Sequence, residues 1–221
     1  MTGFPSIEHS YGGEILRKGI HLTSLLIPII YYFIPKSTAL SILIPLTLLF
    51  VLSDTARVFH EPSGRLYEKY FGFLLRRHER NSSGRRLNGA TYVLLSAVLC
   101  LWIFPKVIFI TAFAILIVSD TSAALIGRKF GRHPFFSKTL EGSLAFLVSA
   151  LLVVLFSPKI EYLPLEYMIG ATAALVGAIV ESASIGVDDN LSIPISVGGT
   201  MWILYLLLLE SLDLYALDKI T

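Results

Sequence analysis

Charge is what this sequence has least of. Of its 221 residues only 15% are charged, while 54% are hydrophobic and the mean hydropathy is +0.71. A soluble domain carries nearer a quarter charged residues, so the composition excludes an ordinary soluble globular protein and indicates an integral membrane one. Cysteine is nearly absent too. Cys100 stands alone inside an apolar run, which excludes an intrachain disulfide and any cysteine-based metal site. Met1 to Gly13 has no basic start and the first apolar run no small-residue cleavage site, so a cleavable signal peptide is not expected. Common nucleotide and metal motifs are also missing: no G-x-x-x-x-G-K-[ST] loop, no protein-kinase catalytic loop, no G-x-G-x-x-G after a strand, and no H-E-x-x-H. No internal repeat is evident, which counts against a transporter built from repeated halves.

What is present is a series of apolar runs: Ile20 to Ile34, Ala39 to Leu52, Gly89 to Phe104, Val107 to Ile126, Ser143 to Phe156, Tyr167 to Val180 and Ile195 to Leu209. They predict an all-α, multi-pass protein of about seven transmembrane helices, forming a single catalytic domain over residues 1–221. Several runs are shorter than the roughly 20 residues of a perpendicular span, so their ends borrow flanking polar residues. Between the second and third runs, Leu66, Tyr67, Tyr70, Phe71 and Leu74 make an apolar stripe, with Arg65, Lys69 and Arg76 outside it. That pattern predicts an amphipathic helix lying in the headgroup layer. Seven spans would leave only Lys36, Lys106, Lys159 and Lys219 of the 18 basic residues on one face. The positive-inside rule then puts the N-terminus and the polar loops in the cytoplasm and the C-terminus opposite.

The polar residues gather on that expected inner face. Glu14, Arg17, Lys18 and His21 recur at helical spacing and form one face suited to phosphate, or equally a solvated cap with snorkelling side chains. Asp54 ends the second run, as a site residue or a cap. Arg85, Arg86, Asn88 and Thr91 open the third run, where exposed N–H groups attract anions and where capping explains Asn88 and Thr91 as well. Asp120 follows a long apolar run, an expensive position for a carboxylate and therefore a functional candidate. Gly127, Gly131 and Gly142 permit close backbone approach or positive φ, while Lys138 and Thr139 offer charge and hydroxyl to a phosphate. Glu181 ends the sixth run, and Asp188, Asp189 and Asn190 follow; paired carboxylates suit a hard cation such as Mg²⁺, or a capped turn. Acids for a metal beside Lys, Arg and Gly for phosphates point to phosphoryl or nucleotidyl transfer onto a lipid entering from the bilayer.

Five segments carry a family resemblance: E-I-L-R-K-G-I-H at Glu14 to His21, L-N-G-A-T-Y-V-L-L at Leu87 to Leu95, S-D-T-S-A-A-L-I-G-R-K-F-G at Ser119 to Gly131, S-K-T-L-E-G-S at Ser137 to Ser143, and D-D-N-L-S-I-P at Asp188 to Pro194. In this order they resemble the CTP-dependent lipid kinases, which include dolichol, phytol or polyprenol kinase and the CTP-dependent diacylglycerol kinase. Ser119, where many relatives have Gly, and Asn88, where many have Thr, are departures that bear on the acceptor.

The resemblance implies CTP as phosphoryl donor, a requirement for Mg²⁺ and a long-chain alcohol acceptor, with no nucleic-acid partner. CTP binding falls to Glu14, Arg17, Lys18, Arg86, Asn88, Thr91, Gly127, Arg128, Gly131, Lys138, Thr139, Gly142 and Asn190. Asp120, Asp188 and Asp189 are the expected metal ligands, and Asp120, Glu181, Lys138, Glu141 and His21 the catalytic candidates. The alternatives are a diacylglycerol acceptor, a CTP-using CDP-lipid synthase and, in another class, a membrane transporter. The synthase signature K-R-x-x-x-x-K-D followed by H-G-G-x-x-D-R is missing, as is the D-G-x-x-A-R motif of CDP-alcohol phosphotransferases.

Overall fold

The computed structural model describes residues 11–60, 64, 87–184 and 186–219, the first four of them by backbone only. The expected headgroup-layer helix, Arg85, Arg86 and the side chain of Glu14 lie outside the described part. The described chain is helical apart from one short hairpin: α1 (Tyr11–Thr23), α2 (Leu26–Phe33), α3 (Lys36–Phe59), α4 (Gly89–Ile103), α5 (Lys106–Phe130), β1 (Pro134–Phe135), β2 (Lys138–Thr139), α6 (Leu140–Phe156), α7 (Pro164–Ala183) and α8 (Asp189–Leu208), with a 3₁₀ turn at Ala216–Asp218. The protein is an all-α membrane protein. Among the described residues α3, α5, α7 and α8 are long and apolar enough to cross a bilayer, and α4 and α6 are shorter apolar helices.

The first apolar run is two helices, not one, because of Pro28. Proline has no N–H and its ring crowds the carbonyl four residues back, here that of Ser24. Ser24 O instead accepts from Ile27 N at 3.0 Å, and Ser24 N and Leu25 N bond three residues back to His21 O and Leu22 O. This tight turn separates α1 from α2. Pro45 and Pro194 also lie inside helices, α3 and α8, which continue through them.

α5 is the axis of the bundle. It is apolar on every side over Val107 to Ile117, and most of that stretch is fully buried, the mark of a helix surrounded by others. α6 lies along it most extensively, and α1, α2 and α8 also pack on it. α7 joins α6 to α8, and α4 stands between α8 and α3. Small residues set the close approaches. A Cβ at Gly170 would meet Val154 at 2.6 Å, one at Gly177 would meet Val197 at 2.7 Å, and one at Gly198 would meet Phe104 at 2.6 Å.

At 1.5 Å per residue the 25 residues of α5 extend about 37 Å, and Asp120, ten residues before its end, sits about 15 Å inward. After α5 the chain folds back as the hairpin, with Pro134 opposite Thr139 and Phe135 opposite Lys138. Phe136 at its tip takes φ 49°. This return places Lys138 beside the bundle, so the loop helps line the site.

Candidate functional site

One ion pair joins the first helix to the axis. Lys18 of α1 is only 5% exposed, and its ammonium donates to Asp120 Oδ2. One turn further along α1, His21 places Nε2 3.6 Å from the same oxygen. The i, i+3 spacing of the two residues thus aims both at one carboxylate. Arg17, their neighbour, is half-buried on the same helix.

Lys138 builds the second half. Its Nζ lies 2.7 Å from Glu181 Oε1 at the end of α7 and 2.8 Å from Asp189 Oδ2 at the start of α8. Burial would lower this ammonium, but the facing Asp189 and Glu181 carboxylates outweigh it and hold Lys138 above the ordinary lysine range. The loop is pinned next door: Ser137 donates through both its N–H, at 3.1 Å, and its Oγ, at 2.7 Å, to Ser182 O. Asp120 is within electrostatic reach of Lys138, Glu181 and Asp189, so the two halves form one charged cluster. Five segments supply it: α1, α5, β2, α7 and α8.

Several other candidates hold the frame. Asn88 Oδ1 caps α4 by accepting from Thr91 N at 2.9 Å, and Asp188 Oδ1 caps α8 by accepting from Asn190 N at 3.0 Å and Asn190 Nδ2 at 2.7 Å. Thr139 caps α6 through Gly142 N. Asp54, fully buried, accepts from Arg57 Nε at 2.7 Å, Asn88 N at 2.5 Å and Thr91 Oγ1 at 3.2 Å, tying α3 to α4. Glu141 bonds His133 Nδ1 at 2.7 Å and closes the base of the hairpin. Arg128 is exposed at the end of α5. Gly127, Gly131 and Gly142 achieve the close approach expected of them by packing protein on protein. A Cβ at any of them would meet Thr139 within 3.1 Å, and one at Gly142 would also meet Ala123 O at 3.1 Å. None of the three adopts positive φ.

Two contributors escaped the sequence reading. Ser137 and the Ser182 carbonyl clamp the loop, and backbone acceptors leave no mark in a sequence. The Lys18–Asp120 pairing joins residues 102 positions apart, which only the fold reveals.

No three or more His, Cys, Asp or Glu among the described residues gather as a metal cage, so Asp120, Asp188 and Asp189 do not form one. Mg²⁺ rarely needs such a cage, since one or two carboxylates plus substrate phosphates hold it. The donor set here fits that mode: Glu181 is 2% exposed, and its Oε2 is buried without a hydrogen-bond partner. Ser119, Ser143 and Ser192, at the same end of the bundle, also carry buried hydroxyls without partners. Buried polar atoms are rarely left so, and an ion, a water or a ligand group is the kind of partner that satisfies them.

No family model matches the chain, and no solved structure does. An uncharacterized protein of Rickettsia prowazekii is 29% identical over 189 residues, which is 83% of this chain and 90% of that protein. "CTP-dependent diacylglycerol kinase 1" of Saccharomyces cerevisiae is 28% identical over 209 residues, which is 82% of this chain and 64% of that one. The "Phytol kinase" of Synechocystis sp. is 32% identical over 89 residues, 38% of each. The chain therefore spans just under two thirds of the yeast relative's length. These relatives uphold the resemblance read from the five segments.

Proposed function

We propose that this relative of the CTP-dependent lipid kinases transfers the γ-phosphoryl group of CTP to the hydroxyl of a membrane lipid alcohol, releasing CDP. The observation that carries the reading is the convergence of Asp120, Lys18, Lys138, Glu181 and Asp189 at the polar end of an apolar bundle. Phosphoryl transfer needs little covalent work from a protein; it needs positioning and neutralisation of phosphate charge. Lysines facing carboxylates supply both signs within one cleft.

In this mechanism Asp120 accepts the hydroxyl proton, since it lies on the membrane-embedded axis where a lipid head would dip toward the nucleotide. Lys18 and His21 hold its carboxylate in place. Lys138 contributes a point charge to the phosphates, with Arg128 and Arg17 at the rim. The alcohol oxygen then bonds to the γ-phosphorus as the bond to the β-phosphate oxygen breaks, and CDP leaves. Mg²⁺, when bound, would supply charge neutralisation at the phosphates; Asp189 and Glu181 are the residues that would hold it. The polar end faces the cytoplasm on the distribution of basic residues.

The acceptor we put first is an isoprenoid alcohol of the phytol, polyprenol or dolichol type. Diacylglycerol is the second reading, because a relative bearing that name matches along 82% of this chain, against 38% for the phytol kinase. Membranes containing the protein, given γ-labelled CTP, Mg²⁺ and a panel of isoprenoid alcohols and diacylglycerol, are expected to yield labelled lipid phosphate and CDP. Pyrophosphate in place of CDP would make the chain a CDP-lipid synthase, and absence of labelled lipid from every acceptor would sink the kinase.

A further inference from the structure

Lys138 sits where a small hard cation would. Carboxylates from two helices converge on its ammonium, Glu181 Oε1 at 2.7 Å and Asp189 Oδ2 at 2.8 Å. The second oxygen of Glu181, Oε2, is buried with no hydrogen-bond partner, although its side chain is only 3% exposed. A bare carboxylate oxygen in a low-dielectric site is costly to keep, and a single ammonium on the other oxygen does not satisfy it. Asp120 adds negative potential to the same cleft.

The lysine itself is built to leave. Its backbone is fixed by the Ser137 clamp on Ser182 O, but its side chain is 30% exposed and carries its charge on a flexible four-carbon stem. Rotation of that stem moves the ammonium without unfolding the loop. A divalent ion between the same two carboxylates interacts about twice as strongly as a monovalent one at equal distance.

We infer that Glu181 and Asp189 form a divalent-cation site in which Lys138 is the resident place-holder, exchanged for the metal when phosphate arrives. The carboxylates then hold the metal, Glu181 through the oxygen now bare, and the released ammonium turns to phosphate oxygens. Without phosphate the exchange strands a lysine in a half-buried cleft, so metal binds weakly. With phosphate the lysine gains a new partner, so metal and nucleotide bind together. The last step rests on the kinase reading; the competition between Lys138 and the metal does not.

The purified full chain, titrated with Mn²⁺ and followed by the electron paramagnetic resonance signal of the free ion, tests this. Lys138→Met without nucleotide is expected to bind Mn²⁺ about tenfold more tightly than the unaltered chain. Adding Glu181→Gln is expected to abolish the gain. Equal Mn²⁺ affinity in the Lys138→Met and unaltered chains, both with cooperative melts, overturns the inference, as does a gain that survives Glu181→Gln. Should Lys138→Met fail to fold, acylation of Lys138 in the unaltered chain, read by mass spectrometry, replaces it. The rate is expected to rise severalfold when Mn²⁺ is added, and an unchanged rate overturns the inference. A tighter Lys138→Met site in a chain that labels no lipid would sink the kinase reading alone. Labelled lipid with no Lys138–metal competition would sink this inference alone.

Discussion

Asp120 concentrates the argument at the scale of single residues. A carboxylate on the central helix is tolerable because Lys18 donates to it and His21 stands 3.6 Å away. That pairing gives Asp120 a structural role beside the chemical one proposed for it, and the two are separable. Asp120→Asn leaves the Lys18 ammonium buried and uncompensated, which is expected to cost about 3–5 kcal/mol of stability. Adding Lys18→Met removes the stranded charge and is expected to restore most of the melting temperature. Transfer from labelled CTP is expected to stay down by about 10²-fold or more in both variants, because neither has a group to accept the hydroxyl proton. A double variant that melts normally and regains turnover would reduce Asp120 to a counter-ion for Lys18.

Helices position these residues, and the packing at the α5–α6 crossing fixes the loop that carries Lys138. Gly127 and Gly142 let the two helices approach until Thr139 fills the space between them; a Cβ at Gly142 would lie 3.3 Å from Gly127 Cα and 3.1 Å from both Ala123 O and Thr139 Oγ1. Gly142→Ala is therefore expected to cost about 1–3 kcal/mol through overpacking. It should also lower turnover per folded molecule, because the shift displaces Thr139 and with it Lys138. Gly199, on α8, has nothing within 4 Å of its Cβ position. Gly199→Ala is expected to be neutral or to gain up to about 1 kcal/mol of helix propensity. Thermal melts and transfer assays of the two alanine variants check this, and equal behaviour would show that the crossing does not govern the site. The same elements show what was legible beforehand. Each apolar run forms helix, the first as two, since burying backbone in lipid leaves few other solutions. The break at Ser24–Leu25 was not foreseen, because Pro28 breaks its helix while Pro45 and Pro194 do not. In the site, Asp120, Lys138, Glu181 and Asp189 stood out because charge in or beside apolar runs violates the local pattern. Capping of α4 and α8 by Asn88 and Asp188 was legible as an alternative. Which lysine meets which acid was not, because contacts across the bundle depend on helix order and rotation.

Across the whole molecule the two ends of the bundle are finished differently. At the end opposite the cluster, Glu166 is fully buried and accepts from Ile160 N at 2.8 Å, Glu161 N and Leu163 N at 3.0 Å, and Tyr205 Oη at 3.1 Å. Lys106 donates through Nζ to Ile34 O at 2.9 Å and through its backbone N–H to Asp218 Oδ2 at 3.0 Å. Lys159 is closed off by Val154 O and Ser157 O. That end is knitted shut by its own chain, whereas among the described residues of the cluster end Glu181 Oε2 and the Ser119, Ser143 and Ser192 hydroxyls have no protein partner. A nucleotide bound at the cluster end would meet the bundle from one side of the membrane only. If CTP is the donor, the cluster end must face the compartment that holds it, and the orientation proposed from the basic residues has that end in the cytoplasm. Single cysteines in a Cys100→Ser background test the orientation: Arg132→Cys in the link between α5 and β1 and Glu210→Cys beyond α8, both at exposed positions. In intact cells a membrane-impermeant maleimide is expected to label position 210 and to reach position 132 only after permeabilisation. The reverse pattern would put the cluster end outside, away from the nucleotide pool, and the CTP-dependent reading would fall with the orientation.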